Sequence, residues 1–146
     1  FDPHYMWELS RIRYALELSA AEDAVKNMTD QGLERLRQIQ AAQREDLSNY
    51  NVDEFIRHDR EFHSCIYEMS LNRELMKLAS NYYDVFRFLG MQAVMGTEER
   101  RLTTIEEHQD ILEAMEQHNP KAAVQAMKKH MEQTETNIRR HIKIAP

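Results

Sequence analysis

The stretch FIRHDREFHSCIYEM, Phe55 to Met69, sets Asp59 and His63 four residues apart in a segment whose other inward positions are apolar. On a helix, side chains four apart share a face, and Phe55, Phe62, Ile66 and Met69 fall within about 60° of arc with Asp59 at its edge. A carboxylate taken out of water without a partner costs several kcal/mol, so an inward Asp59 requires a cation or a metal. His63, one turn on, can share that ion. His58 lies about as near the stripe but diverges from Asp59 by about 100°, which leaves it out of the pair.

Two later segments repeat the pattern. Ile105, His108, Ile111 and Met115 share one face, and Ala123, Met127, His130 and Thr134 another, each with an imidazole inside an apolar series. Taken singly, a histidine on such a face is most often a hydrogen-bonded core residue, and the chain has 7 histidines. Three helices that each aim an imidazole or a carboxylate inward are nevertheless how bundles build metal sites from facing elements. Asp59, His63, His108 and His130 are therefore expected to converge on one divalent ion. Three imidazoles and a carboxylate suit Zn²⁺ first, with Ni²⁺, Fe²⁺ or Mn²⁺ as alternatives, and not Ca²⁺, which takes oxygen ligands. They either close a tetrahedron or leave positions of an octahedral ion open.

The elements that must hold these residues are helical. Three glycines and three prolines in 146 residues, with nine methionines, are the composition of an α protein. Apolar periodicity predicts helices over Tyr5 to Lys26, Asp30 to Leu47, Val52 to Ser70, Arg73 to about Met91, Thr97 to His118 and Pro120 to Ile142. Asn72 and Asn119 read as N-caps, the latter with Pro120 at the first helical position. The expected fold is all-α: one domain over residues 1–146, an antiparallel bundle of about six or seven helices around a central metal or ligand cavity. Gly90 to Thr97 is the stretch where the helix boundaries are least defined.

A single cysteine, Cys65, excludes an intrachain disulfide, and no apolar run approaches the roughly 18 residues that span a bilayer. The expected location is cytoplasmic, with no membrane partner. With 25 acidic against 19 basic residues, a net charge of −6 gives no global attraction for nucleic acid.

Several motifs together resemble the FCD domain, the C-terminal effector-binding domain of FadR-type GntR transcription regulators. They are Asp59, Phe62 and His63; Ser70, Asn72 and Leu75; Glu107, His108, Ile111 and Ala114; and Ala123, Met127 and His130. An early RYALE, Arg13 to Glu17, is similar to the family's first helix. The resemblance spans nearly the whole chain. It implies a central metal on residues matching Asp59, His63, His108 and His130, and a small carboxylate effector reaching that metal from the bundle cavity. It also implies a homodimer that contacts operator DNA through an N-terminal winged-helix domain. That domain is absent from this sequence, which begins at Phe1 and is expected to be the sensor half of a regulator.

Arg13 lies on the first helix's stripe between Leu9 and Leu16. A guanidinium there can fork onto a carboxylate effector, or pair with Glu17 one turn on. Arg87, in YYDVFRFLG, is a second effector-binding candidate whose other fate is a solvated face. The chain is expected not to be an enzyme. Two rival readings are a metalloenzyme using the same Asp/His3 site, with Glu107 as its only nearby base, and a metal-free acyl-CoA-binding variant of the fold.

Overall fold

The computed structural model describes residues 2–143, all of whose regular elements are α-helices: α1 (Pro3–Asn27), α2 (Asp30–Ser48), α3 (Val52–Met69), α4 (Arg73–Asn81), α5 (Tyr83–Val94), α6 (Glu98–Glu116) and α7 (Pro120–Ile142). Local chemistry sets most of their starts. Side-chain oxygens of Asp2, Thr29, Asn51, Asn72, Thr97 and Asn119 accept the free backbone N–H groups at the heads of α1, α2, α3, α4, α6 and α7. Three connections turn through a residue other than glycine in the left-handed region: Tyr50 (φ 56°), Leu71 (φ 54°) and His118 (φ 52°).

The helix expected from Arg73 to about Met91 is two helices. The chain leaves the α conformation at Tyr82 (φ −99°, ψ 10°), and no side chain caps α5. No glycine or proline marks the break. Gly90, near the end of the helix expected to run to about Met91, is buried within α5. An added Cβ there would meet Asp59 Oδ2 at 3.2 Å and Arg13 Nη1 at 3.7 Å, so the missing side chain gives both groups room.

Two apolar clusters fill the interior. One gathers Ala20, Ala24, Leu33, Leu36, Phe62, Ile66, Ile111, Met115, Met127 and Met131; the other gathers Leu9, Phe55, Ile56, Phe86, Leu89, Ile105 and Ile138. Along α1, α3 and α6 the chain runs from the second cluster to the first, and along α7 it runs back, so α7 lies antiparallel to both α1 and α6, against which it packs. At the crossing between the clusters the helices carry Arg13 and Glu17, Asp59 and Arg60, His108, and His130 with Thr134, all buried. The bundle thus holds a polar layer between two greasy ones. No helix among the described residues is long and apolar enough to cross a membrane.

Candidate metal centre

His63 and His108 are 0% exposed and His130 is 2% exposed, and their ring nitrogens converge. The Nε2 atom of His130 lies 3.2 Å from that of His108 and 3.3 Å from that of His63. Asp59 Oδ1 is 3.3 Å from His108 Nε2. Three of the four residues singled out by helical spacing, His63, His108 and His130, therefore gather in one group, delivered by α3, α6 and α7, while Asp59 meets that group at His108.

Each Nδ1 faces an acceptor on the other side of its ring. His63 Nδ1 donates to Glu17 Oε2 (2.9 Å), His108 Nδ1 to Gln43 Oε1 (2.8 Å) and His130 Nδ1 to Glu107 Oε1 (2.6 Å). The Gln43 amide is oriented by its own Nε2, which donates to the Phe55 carbonyl oxygen (3.2 Å). With the single proton of each neutral ring held at Nδ1, the three Nε2 atoms present lone pairs to one another and to a carboxylate oxygen. Such a constellation repels itself unless a cation sits within it. Nitrogens bound at about 2.0–2.1 Å to one ion stand about 3.0–3.4 Å apart, which is the spacing seen, and a fixed Nδ1–H is the usual companion of metal ligation through Nε2. The donor set fits a divalent transition metal.

The surroundings disfavour a charge on His63 and His108. Burial pushes the pKa of His63 down against the pull of Glu17, and burial together with His130 and His63 pushes that of His108 well below the ordinary value. Phe62 stacks on the His108 ring at 4.0 Å between centroids with 2° between planes, which fixes its attitude. Glu107 is gripped by Arg100 through two hydrogen bonds of 2.8 and 3.0 Å. Burial disfavours its charge, but the bonds from His130 and Arg100 outweigh that and hold its pKa below the usual range. Glu17 behaves alike: burial opposes ionisation, while His63, Arg13 and Arg60 more than offset it.

Arg13 is buried and pairs with Glu17, one of the two partners expected for it. Its Nε bonds Glu17 Oε1 at 3.3 Å, and its Nη1 is buried with no hydrogen-bond partner among the described residues. Arg87 is exposed on α5, the solvated fate set beside its effector role. His58 pairs with Asp46 and stays apart from the centre, as its angular offset requires. Sequence reasoning passed over Gln43, Arg60 and Arg100, and it saw in Glu107 only a carboxylate turned about 100° from His108. That direction leads to His130 on α7. A periodic signal for Gln43 was present: Leu33, Leu36, Gln40 and Gln43 step by three and four along the buried face of α2.

Comparison with known proteins agrees with this architecture. Residues 8–133 match the family model of the FCD domain. The chain is 30% identical over 138 residues to the Uxu operon regulator of Haemophilus influenzae, covering 90% of this chain and 50% of that protein. The chain thus spans about half the length of the curated relative it matches. Among solved structures, E. coli McbR/YncC superposes with a TM-score of 0.81 at 22% identity, over 91% of this chain and 67% of that one. A Streptococcus agalactiae GntR protein gives 0.78 at 22% identity, over 90% and 58%. These likenesses establish the helical fold, and the family match over most of the sequence shows that the chain belongs to the FCD domain family.

Proposed function

We propose that this chain is the sensor domain of a GntR-type transcription regulator. In this reading Asp59, His63, His108 and His130 hold a divalent transition metal, zinc first, and Arg13 receives a small carboxylate effector. The observation that carries the reading is that His130 Nε2 lies 3.2 Å from His108 Nε2 and 3.3 Å from His63 Nε2, each on a ring whose Nδ1–H is already engaged. The bound ion would supply a Lewis-acidic point for a carboxylate oxygen. The protein's own part is to exclude water, hold the three imidazoles in one tautomer and present the free Nη1 of Arg13 beside Asp59 and Gly90.

The enzyme alternative loses its base, because Glu107 is fully engaged by Arg100 and His130. An acyl chain would have to lie against the same imidazoles and ionised groups, which disfavours the acyl-CoA alternative. The family relation supports a homodimer, a single domain over residues 1–146, and operator contact through a separate DNA-binding segment. Effector binding can bias such a regulator only by favouring one of its states over the other.

Elemental analysis and native mass spectrometry of the purified chain test the proposal. One divalent ion per chain is expected, lost in Asp59→Ala and His108→Ala together with metal-dependent acetate binding. Unchanged stoichiometry in Asp59→Ala contradicts the site. In calorimetry, Arg13→Ala should weaken acetate binding by about 10-fold or more, as loss of a charged hydrogen bond does; undiminished affinity removes the clamp.

A further inference from the structure

The buried ionised side chains among the described residues are three guanidiniums (Arg13, Arg60 and Arg100) and three carboxylates (Glu17, Asp59 and Glu107). These six charges sum to zero. A divalent ion at the histidine centre then adds two positive charges to a layer sealed between apolar clusters, where uncompensated charge is costly. A monocarboxylate effector offsets only one of them.

The structure also shows where a second negative charge is wanted. Three buried donors gather around Glu17 without a hydrogen-bond partner among the described residues: Arg13 Nη1, Arg60 Nε and the Tyr67 hydroxyl. Arg13 Nε and Arg60 Nη2 approach the same oxygen, Glu17 Oε1, at 3.3 and 3.8 Å, so one carboxylate serves two guanidiniums and leaves both incompletely paired. Burial and then Glu17 push the Tyr67 pKa up, so its hydroxyl keeps its proton to donate.

Two of these residues, Arg60 and Tyr67, line a groove of about 250 Å³ between α3, α4 and the start of α5, together with Ser64, Met76 and Tyr83. The Arg60 guanidinium lies 5.9 Å from the centre of the Tyr83 ring, which is 42% exposed. The break at Tyr82 that separates α4 from α5 places this aromatic ring over the entrance.

We propose that the effector is a dianion, a short dicarboxylate whose first carboxylate meets Arg13 at the metal and whose second is received by Arg60 and Tyr67 at the inner end of this groove. The inference rests on the metal-sensor reading and adds a subsite to it. Arg60 and Tyr67 then select two acidic groups over one, and Tyr83 closes over the second.

The test is calorimetric titration of the zinc-loaded chain at pH 7.5 with acetate, propionate, malonate, succinate and glutarate. At least one dicarboxylate should bind about 10- to 100-fold more tightly than either monocarboxylate, the contribution of an added charged hydrogen-bonded pair. Arg60→Gln should erase that preference, lowering dicarboxylate affinity by far more than acetate affinity, and Tyr67→Phe should reduce it several-fold. Tyr67→Phe removes only an oxygen that has no partner, so it decides the matter if Arg60→Gln does not fold. Equal affinities for mono- and dicarboxylates, or variants that weaken both alike, overturn the subsite and leave the metal reading standing. A dicarboxylate preference that survives chelation of the metal keeps the subsite and overturns the metal reading. Failure of every probe to bind overturns both.

Discussion

On the three imidazoles each Nδ1 hydrogen has an acceptor, and what remains is the Nε2 lone pair of His130 facing those of His108 and His63 at 3.2 and 3.3 Å. Around Glu17, on the neighbouring positions of α1 and α3, it is the donors of Arg13, Arg60 and Tyr67 that remain. One half of the polar layer is short of a cation and the other of an anion. Structural polar networks in protein interiors tend toward full satisfaction, because each unmet buried group costs about 1–3 kcal/mol. Two adjacent deficits of opposite sign point instead to a layer completed from outside, first by a metal and then by an acid. The apolar clusters on either side show the contrast, since they are closed by their own side chains.

The comparison breaks most visibly if the metal is withdrawn. At free zinc about 1,000 times Kd, binding stabilises the fold by about 4 kcal/mol, so chelation should lower the melting temperature by about 8–16 °C for a domain of this size. In His108→Ala the same chelator should produce no shift. Differential scanning calorimetry with and without chelator checks both outcomes, and an equal shift in the variant would place the ion elsewhere.

A smaller effect separates ligands from the groups that orient them. Glu107→Gln leaves all four candidate ligands in place but weakens the acceptor for His130 Nδ1–H, so zinc affinity should fall by about 10- to 100-fold, about 1.4–2.7 kcal/mol. Competition against a chromogenic chelator reads this directly. An unchanged affinity would mean that the Arg100–Glu107 pair is architectural only.

The smallest change lies outside the layer. Leu71 is exposed and holds φ at 54° between α3 and α4, so Leu71→Gly should relieve strain and stabilise the chain by about 1 kcal/mol in urea denaturation. Zinc stoichiometry should not move. A loss of metal in this variant would show that the layer depends on the α3–α4 turn.

The convergence of the three histidines was legible in the sequence because helical spacing alone fixes which face a residue occupies. Asp59 and His63 had to share a face, and His108 and His130 had to interrupt apolar stripes. Caps such as Asn72 and Asn119 were legible for the same local reason. The pairings of Glu17 with His63, Gln43 with His108 and Glu107 with His130 were not, since each joins two helices and depends on how far those helices rotate about their axes. Glu107 shows the cost of reading one helix at a time: it faces away from its neighbour His108 and toward a histidine 23 positions later. The break at Tyr82 escaped because no glycine, proline or capping side chain announces it. The part of Gly90 in making room for Asp59 and Arg13 was not legible either, since it depends on how α5 packs against α1 and α3.

Proton placement on the three rings tests the central claim most directly. Long-range ¹H–¹⁵N correlation spectra of histidine-labelled chain, recorded after chelation and again on zinc addition, report which nitrogen carries hydrogen and which meets the ion. The account predicts that His63, His108 and His130 keep their Nδ1 protons while all three Nε2 resonances shift together, saturating at one zinc per chain. Ligation through Nδ1, or three spectra indifferent to zinc, would contradict it.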